Sequence, residues 1–211
     1  MSFGDKFGKF KQWSLQSFGR ADKTEEDADF QEAIKVMKAT KIELTNLLDA
    51  AKKYHKRQTE AAEDLEKFSG ALSKCTSPES SARGNMLEAV PLTSKSSSAS
   101  IEFLNTFKVN IIDVLNNIIE INQKTAERCW KQVEDARLVY DAATAKLKGL
   151  LENNKKATQE DIDRAKQKAD DAEAAYNKAK DACVEACAEL AKQKDQFAIE
   201  KMTVLANNIG E

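Results

Sequence analysis

The stretch from Phe30 to Leu72, FQEAIKVMKATKIELTNLLDAAKKYHKRQTEAAEDLEKFSGAL, decides the fold. Alternate steps of three and four residues from Phe30 land on Ala33, Met37, Thr40, Leu44, Leu47, Ala51, Tyr54, Gln58, Ala61, Leu65, Phe68 and Leu72. This seven-residue repeat, kept over about six heptads, holds one seam of a long helix against a partner. Ile34, Val36, Ile42 and Leu48 lie off the seam, so the helix has more apolar surface than one partner covers. A second copy of the chain is the simplest cover, and Ile34, Ile42 and Leu48 are the candidate dimer residues of this helix.

The composition agrees. With 7 Gly, 2 Pro, 32% charged residues and few aromatics, the 211-residue chain reads as long helices rather than a sheet. No apolar run approaches the ~20 residues of a membrane span, and the N-terminus lacks the apolar core of a secretory signal, which predicts a soluble, cytoplasmic protein. Cys75, Cys129, Cys183 and Cys187 include no CxxC pair and have no histidine near in sequence, so they read as packed thiols acting as small hydrophobes. His55, the only histidine, sits among Lys52, Lys53, Lys56 and Arg57 and reads as solvated. Neither a metal site nor a cofactor is expected. No Gly-rich phosphate loop or nucleophile elbow occurs, and the expectation is of a protein that is not an enzyme.

Residues 1–20 differ from the rest. On a helical projection Phe3, Phe7, Phe10, Ser14 and Phe18 share about a third of the circumference, flanked by Trp13 and Leu15, with Asp5, Lys9, Gln12 and Gln16 opposite. Gly4 and Gly8 each weaken such a helix by ~1 kcal/mol, so it should form only against an apolar surface. Lys6, Lys9, Lys11 and Arg20 against Asp5 give four minus one, a charge of +3. Large aromatics on one face and cations on the other suit the interface of an anionic membrane. Phe3, Phe7, Phe10, Trp13 and Phe18 are the candidate inserting residues, and Lys6, Lys9 and Lys11 candidate headgroup contacts.

Thr24 with Asp27 resembles a capping box with the acid shortened, which places the first helix at about residues 24–74. Residues 73–100, with Pro78, Pro91, Gly84 and the serine run Ser94 to Ser100, read as a connection, the serines capping a helix that begins near Ile101. The second helix, about 98–151, carries Leu104, Phe107, Ile111, Val114, Ile118 and Ile121, with Ile112, Leu115 and Ile119 widening its face toward a dimer partner. Asn153 and Asn154 make a turn, and Thr158 with Asp161 starts a third helix, about 158–208, whose seam is mostly alanine and permits close approach.

The net charge of −2 gives no support to nucleic-acid binding. The charge is uneven, however: residues 124–168 hold eleven basic groups against eight acids, or +3. Lys124, Arg128 and Lys131 form one stripe, and Lys146, Lys148, Lys155 and Lys156 cluster at the turn between helices two and three.

The amphipathic start, the junction Gly19-Arg-Ala-Asp-Lys-Thr-Glu-Glu-Asp-Ala-Asp-Phe30, the pair Tyr140-Asp141 and the basic turn before an alanine-rich helix together resemble the N-BAR family of amphiphysin- and endophilin-like membrane-bending domains. The resemblance implies an all-α fold: a long antiparallel three-helix coiled coil forming a crescent-shaped homodimer with a six-helix central bundle. It implies two parts, an inserting segment at 1–20 and a BAR domain at 21–211. It further implies a concave face whose Lys124, Arg128, Lys131 and Arg137 meet anionic headgroups, phosphoinositides included, with Lys146, Lys148, Lys155 and Lys156 at the tips. The protein would then be peripheral on membranes, sense or induce curvature, and work beside other BAR or endocytic proteins. No polyproline-binding module follows within the 211 residues, as in a lone BAR protein or part of a longer one. The other reading is a structural coiled-coil scaffold, a spectrin-like three-helix rod that binds proteins.

Overall fold

The computed structural model describes residues 23–75, 83–152 and 157–209. Among them the backbone is helical almost throughout: α1 (Ala28–Lys74), α2 (Arg83–Phe107), a π-helical segment (Lys108–Asp113), α3 (Val114–Asn117), a second π segment (Ile118–Gln123), α4 (Lys124–Glu152) and α5 (Gln159–Ile209). From α2 to α4 the helix is unbroken, so the chain is built of three long helices, with no strand among the described residues.

These elements fall into two compact units, one of residues up to 40 with 121–195, the other of 41–120 with those from 196 on. In the first, α1 runs antiparallel to α4: Thr24 meets Asp141, and Lys38 lies over the Trp130 ring at 4.4 Å. Helices α4 and α5 also run antiparallel, with Tyr140 stacked on Tyr176 at 5.9 Å. The core there is Phe30, Ile34 and Met37 from α1, Ala126 and Val133 from α4, and Ala165, Ala169, Ala172, Tyr176, Cys183, Cys187 and Leu190 from α5. Of the alanine seam expected in α5, Ala165, Ala169 and Ala172 are buried, because small side chains let helices close on one another, while Ala179 and Ala186 are half-buried. Burying each large side chain such as Phe30 or Leu190 contributes about 1.5–3 kcal/mol.

In the second unit α1 packs on α2, whose serine run is helical instead of a connection. Ser97 is buried and donates to the Ala62 carbonyl at 3.0 Å, and Ser69 donates to Val90 at 3.2 Å. Ser98 and Ser100 back-bond to Ser94 and Ser96 at 3.0 and 2.9 Å. Serine disfavours helix interiors because its hydroxyl competes for backbone groups; here that competition is absorbed within the helix and across to α1. The helix therefore begins at Arg83, and Pro91, normally a breaker, sits inside it.

The seam of α1 follows 3.6 residues per turn rather than 3.5. Phe30 and Leu48, Leu44 and Ala62, and Ala51 and Ser69 are buried pairs 18 residues apart, which is five turns of a straight helix. The strict heptad accordingly drifts outward: Leu47, Tyr54, Ala61 and Phe68 are exposed and their successors Leu48, Ala62 and Ser69 buried, with His55 half-buried rather than solvated. In the middle helix the π segments shift the seam by i→i+5 steps, so Ile118 and Gln123 are both buried and Lys108 pairs with Asp113 at 3.0 Å.

Caps mark two starts. Thr158 and Asp161 form the expected reciprocal box, Thr158 Oγ1 donating to Asp161 at 2.6 Å and the Asp161 amide to Thr158 Oγ1 at 3.2 Å. At α1 the cap is Asp27, which accepts from the Phe30 amide at 2.8 Å; Thr24 is engaged elsewhere.

Candidate functional site

The expected headgroup residues separate into three groups. Lys124, Arg128 and Lys131 are exposed along α4, and Lys146 and Lys148 are exposed near its end. Steps of four and three keep the first three on one helical face. Lys155 and Lys156, and the whole of residues 1–20 with Phe3, Phe7, Phe10, Trp13, Phe18, Lys6, Lys9 and Lys11, lie outside the described residues.

Arg137 departs from expectation. It is 4% exposed, its guanidinium donating to Asp141 at 3.1 Å and to Glu134 at 2.8 Å, with Glu26 at 3.9 Å. A side chain so enclosed by its own fold is not presented to a lipid surface. The sequence placed it in the stripe by its charge, whereas α4's inward face after the π segments carries Val133, Arg137 and Asp141.

Around the buried pair Arg137 and Asp141 lies a polar cluster that extends to the surface. The Thr24 amide donates to Asp141 Oδ1 at 3.2 Å, the Thr24 hydroxyl donates to the same oxygen, and Lys180 pairs with Asp27. Burial, then the hydrogen bond and charge of neighbouring Glu134, push the Glu26 carboxyl above its ordinary value. Burial also works on Glu134, but hydrogen bonding and charge from Arg137 outweigh it and hold that carboxyl below the usual range. Desolvation raises Tyr176, packed against the cluster, to about 12. Sequence reasoning pairs Thr24 with Asp27 as a helix cap and misses their long-range partners Asp141 and Lys180, and Glu26 beside Arg137, since nothing local links residues 24–27 to α4 or α5.

A second polar feature lies between α4 and α5, where Lys146, Asp161, Arg164 and Lys168 line an open groove of about 280 Å³. Sequence reasoning counts Arg164 and Lys168 in the basic excess of residues 124–168 and assigns them no contact, although their four-residue spacing puts them on one face. Exposed cations of this kind offer charge-assisted donors to phosphate oxygens.

Of the expected dimer residues, only Ile42 is strongly exposed, at 61%. Ile34, Leu48 and Ile112 are buried within the single chain, Leu115 is 0% exposed and Ile119 is intermediate. A side chain with no surface left cannot be covered by a partner, which takes Leu115 out of any seam between copies. The four thiols also divide: Cys183 and Cys187 are buried, Cys129 is intermediate and Cys75 exposed. Among the described residues no cluster could hold a metal ion, and no helix is long and apolar enough to cross a membrane.

No curated protein matches the chain. The family model of the BAR domain matches residues 3–183. BAR domains are helical scaffolds rather than enzymes; they bind membranes peripherally, dimerise, and sense or induce curvature. With the match spanning most of its length and three long helices in place, the chain belongs to the BAR domain family.

Proposed function

We propose that this chain acts as an N-BAR protein: a homodimer on the cytoplasmic side of anionic membrane that senses or induces curvature by docking basic residues of α4 and inserting an amphipathic N-terminal segment. The observation that carries this reading is the exposed stripe Lys124, Arg128 and Lys131 in a family member whose match begins at residue 3, within the aromatic segment. Each cation near an anionic surface contributes about 1 kcal/mol, so the stripe supplies ~3 kcal/mol per protomer. The +3 segment adds a similar amount, less the cost of ordering it. Lys146 and Lys148, with phosphoinositide headgroups as the most highly charged ligands, extend the contact. Two copies on one surface multiply these modest terms. The dimer would cover Ile42 and Val109, 61% and 60% exposed in one unit.

Co-sedimentation with vesicles tests the reading. The 211-residue chain should pellet with phosphatidylcholine vesicles containing phosphatidylserine and not with phosphatidylcholine alone. Reversing Lys124, Arg128 and Lys131 to Glu should lower affinity at least about a hundredfold, ~3 kcal/mol. Equal binding to neutral and anionic vesicles, or none to either, overturns it.

A further inference from the structure

We infer that the Thr24–Asp141 contact is a register point that sets where the N-terminal segment meets the membrane relative to the cations of α4, which makes Asp141 and Thr24 positioning residues. The inference rests on the reading of residues 1–20 as a membrane-inserting segment.

The chain just before α1 is held from several sides. Asp141 accepts both the amide and the hydroxyl of Thr24, and is itself held by Arg137. Three residues later Asp27 is paired with Lys180 of α5 and caps α1 through the Phe30 amide. Between them Glu26 faces Arg137 and Glu134. So dense a set of contacts, anchored on the buried Arg137–Asp141 pair, exceeds what starting a helix requires, since the Asp27 cap alone does that. Its further effect is to join residue 24 to the face of α4 that presents Asp141.

Chain length turns this contact into a position. Only Ala21, Asp22 and Lys23 lie between Arg20 and Thr24, and four Cα-to-Cα steps reach at most about 14 Å. The chain that follows Arg20 is therefore tethered within that distance of Thr24, which Asp141 holds. Along α4, Asp141 lies ten residues past Lys131 and seven before Lys148, about 15 and 10 Å of helix. The tether therefore leaves between the stripe and the terminal lysines, so that the apolar wedge and both sets of cations act on one patch of bilayer. A free or longer tether would let the segment insert at a distance from the headgroup contacts, and binding would persist without a shared site of deformation.

Two changes separate this from a structural role. Inserting six Gly and Ser residues between Asp22 and Lys23 lengthens the tether and leaves every contact of the cluster intact. Going from four to ten Cα-to-Cα steps lowers the effective concentration of the segment at its patch about fourfold. The expected result is unchanged thermal stability, co-sedimentation with phosphatidylserine vesicles weakened by no more than about fourfold, and about fourfold less tubulation per bound protein. Thr24→Val removes the hydroxyl bond to a charged acceptor, so exchange of the Thr24 amide should quicken about tenfold, with Thr24→Ser restoring protection. Wild-type tubulation by the lengthened protein overturns the inference while leaving the proposed function standing. An unprotected Thr24 amide in the wild type overturns it as well. If the wild type binds no vesicle although Thr24 is protected, the proposed function fails and takes the inference with it.

Discussion

Removing the guanidinium of Arg137 would leave Glu134, Asp141 and Glu26 facing one another inside the fold without their shared cation. Arg137→Ala is therefore expected to cost about 3–5 kcal/mol in denaturant unfolding, the penalty for uncompensated buried charge, whereas a surface cation in the lipid stripe would cost under ~0.5 kcal/mol. Glu26 gives a pH test of the same cluster. Its folded value is raised, so the stability it contributes is complete below the ordinary carboxylate value of 4.5 and is lost as pH rises through the raised one. Glu26→Gln keeps a donor for Glu134 at every pH, and its stability relative to the wild type should increase from pH 4 to pH 8, as followed by thermal melts. The thiols differ in the same residue-level way. Cys75 should react with a disulfide reagent in the native state, and Cys183 and Cys187, enclosed in the α5 seam, only on unfolding, with the bond to Cys187 and then burial pushing the Cys183 thiol well up.

For the elements, a difference of a tenth of a residue per turn decides which side chains are core. Over the length of α1 a heptad seam drifts about 20° per repeat from a straight helix, and by Leu47 the drift has moved burial to the next residue. Leu48→Ala should therefore cost about 2–5 kcal/mol of unfolding stability, and Leu47→Ala much less. A reversed ranking in denaturant titrations would restore the heptad. The same drift leaves Leu47, Tyr54, Ala61 and Phe68 as a regular exposed row. Helix α2 shows the opposite correction: residues read as a connection from their Pro and Ser content became helix because α1 offered carbonyls to Ser97 and a surface to close on. Local propensity loses to tertiary packing where small side chains make close approach possible.

For the whole molecule, three long helices, few aromatics in the core and an alanine seam were legible in the composition and periodicity, because helix spacing and side-chain volume are local properties. So was the exposure of Lys124, Arg128 and Lys131, which follows from steps of four and three on a helix. In a dimer, Ile42→Glu and Val109→Glu should shift sedimentation equilibrium toward the monomer without lowering helicity, since both side chains are largely exposed in the single chain. By itself the sequence determined that the chain is helical, where the third helix is capped, and that residues 124–168 carry a basic excess. Only the tertiary structure decided that Arg137 faces inward, that Leu115 is spent within one chain, and that Thr24 belongs to Asp141, 117 residues away. The physical reason is that a cation reads the same along the chain whether its helix face meets water or three carboxylates. Which it meets depends on the helix phase after the two π segments and on a partner chain segment that no local pattern names.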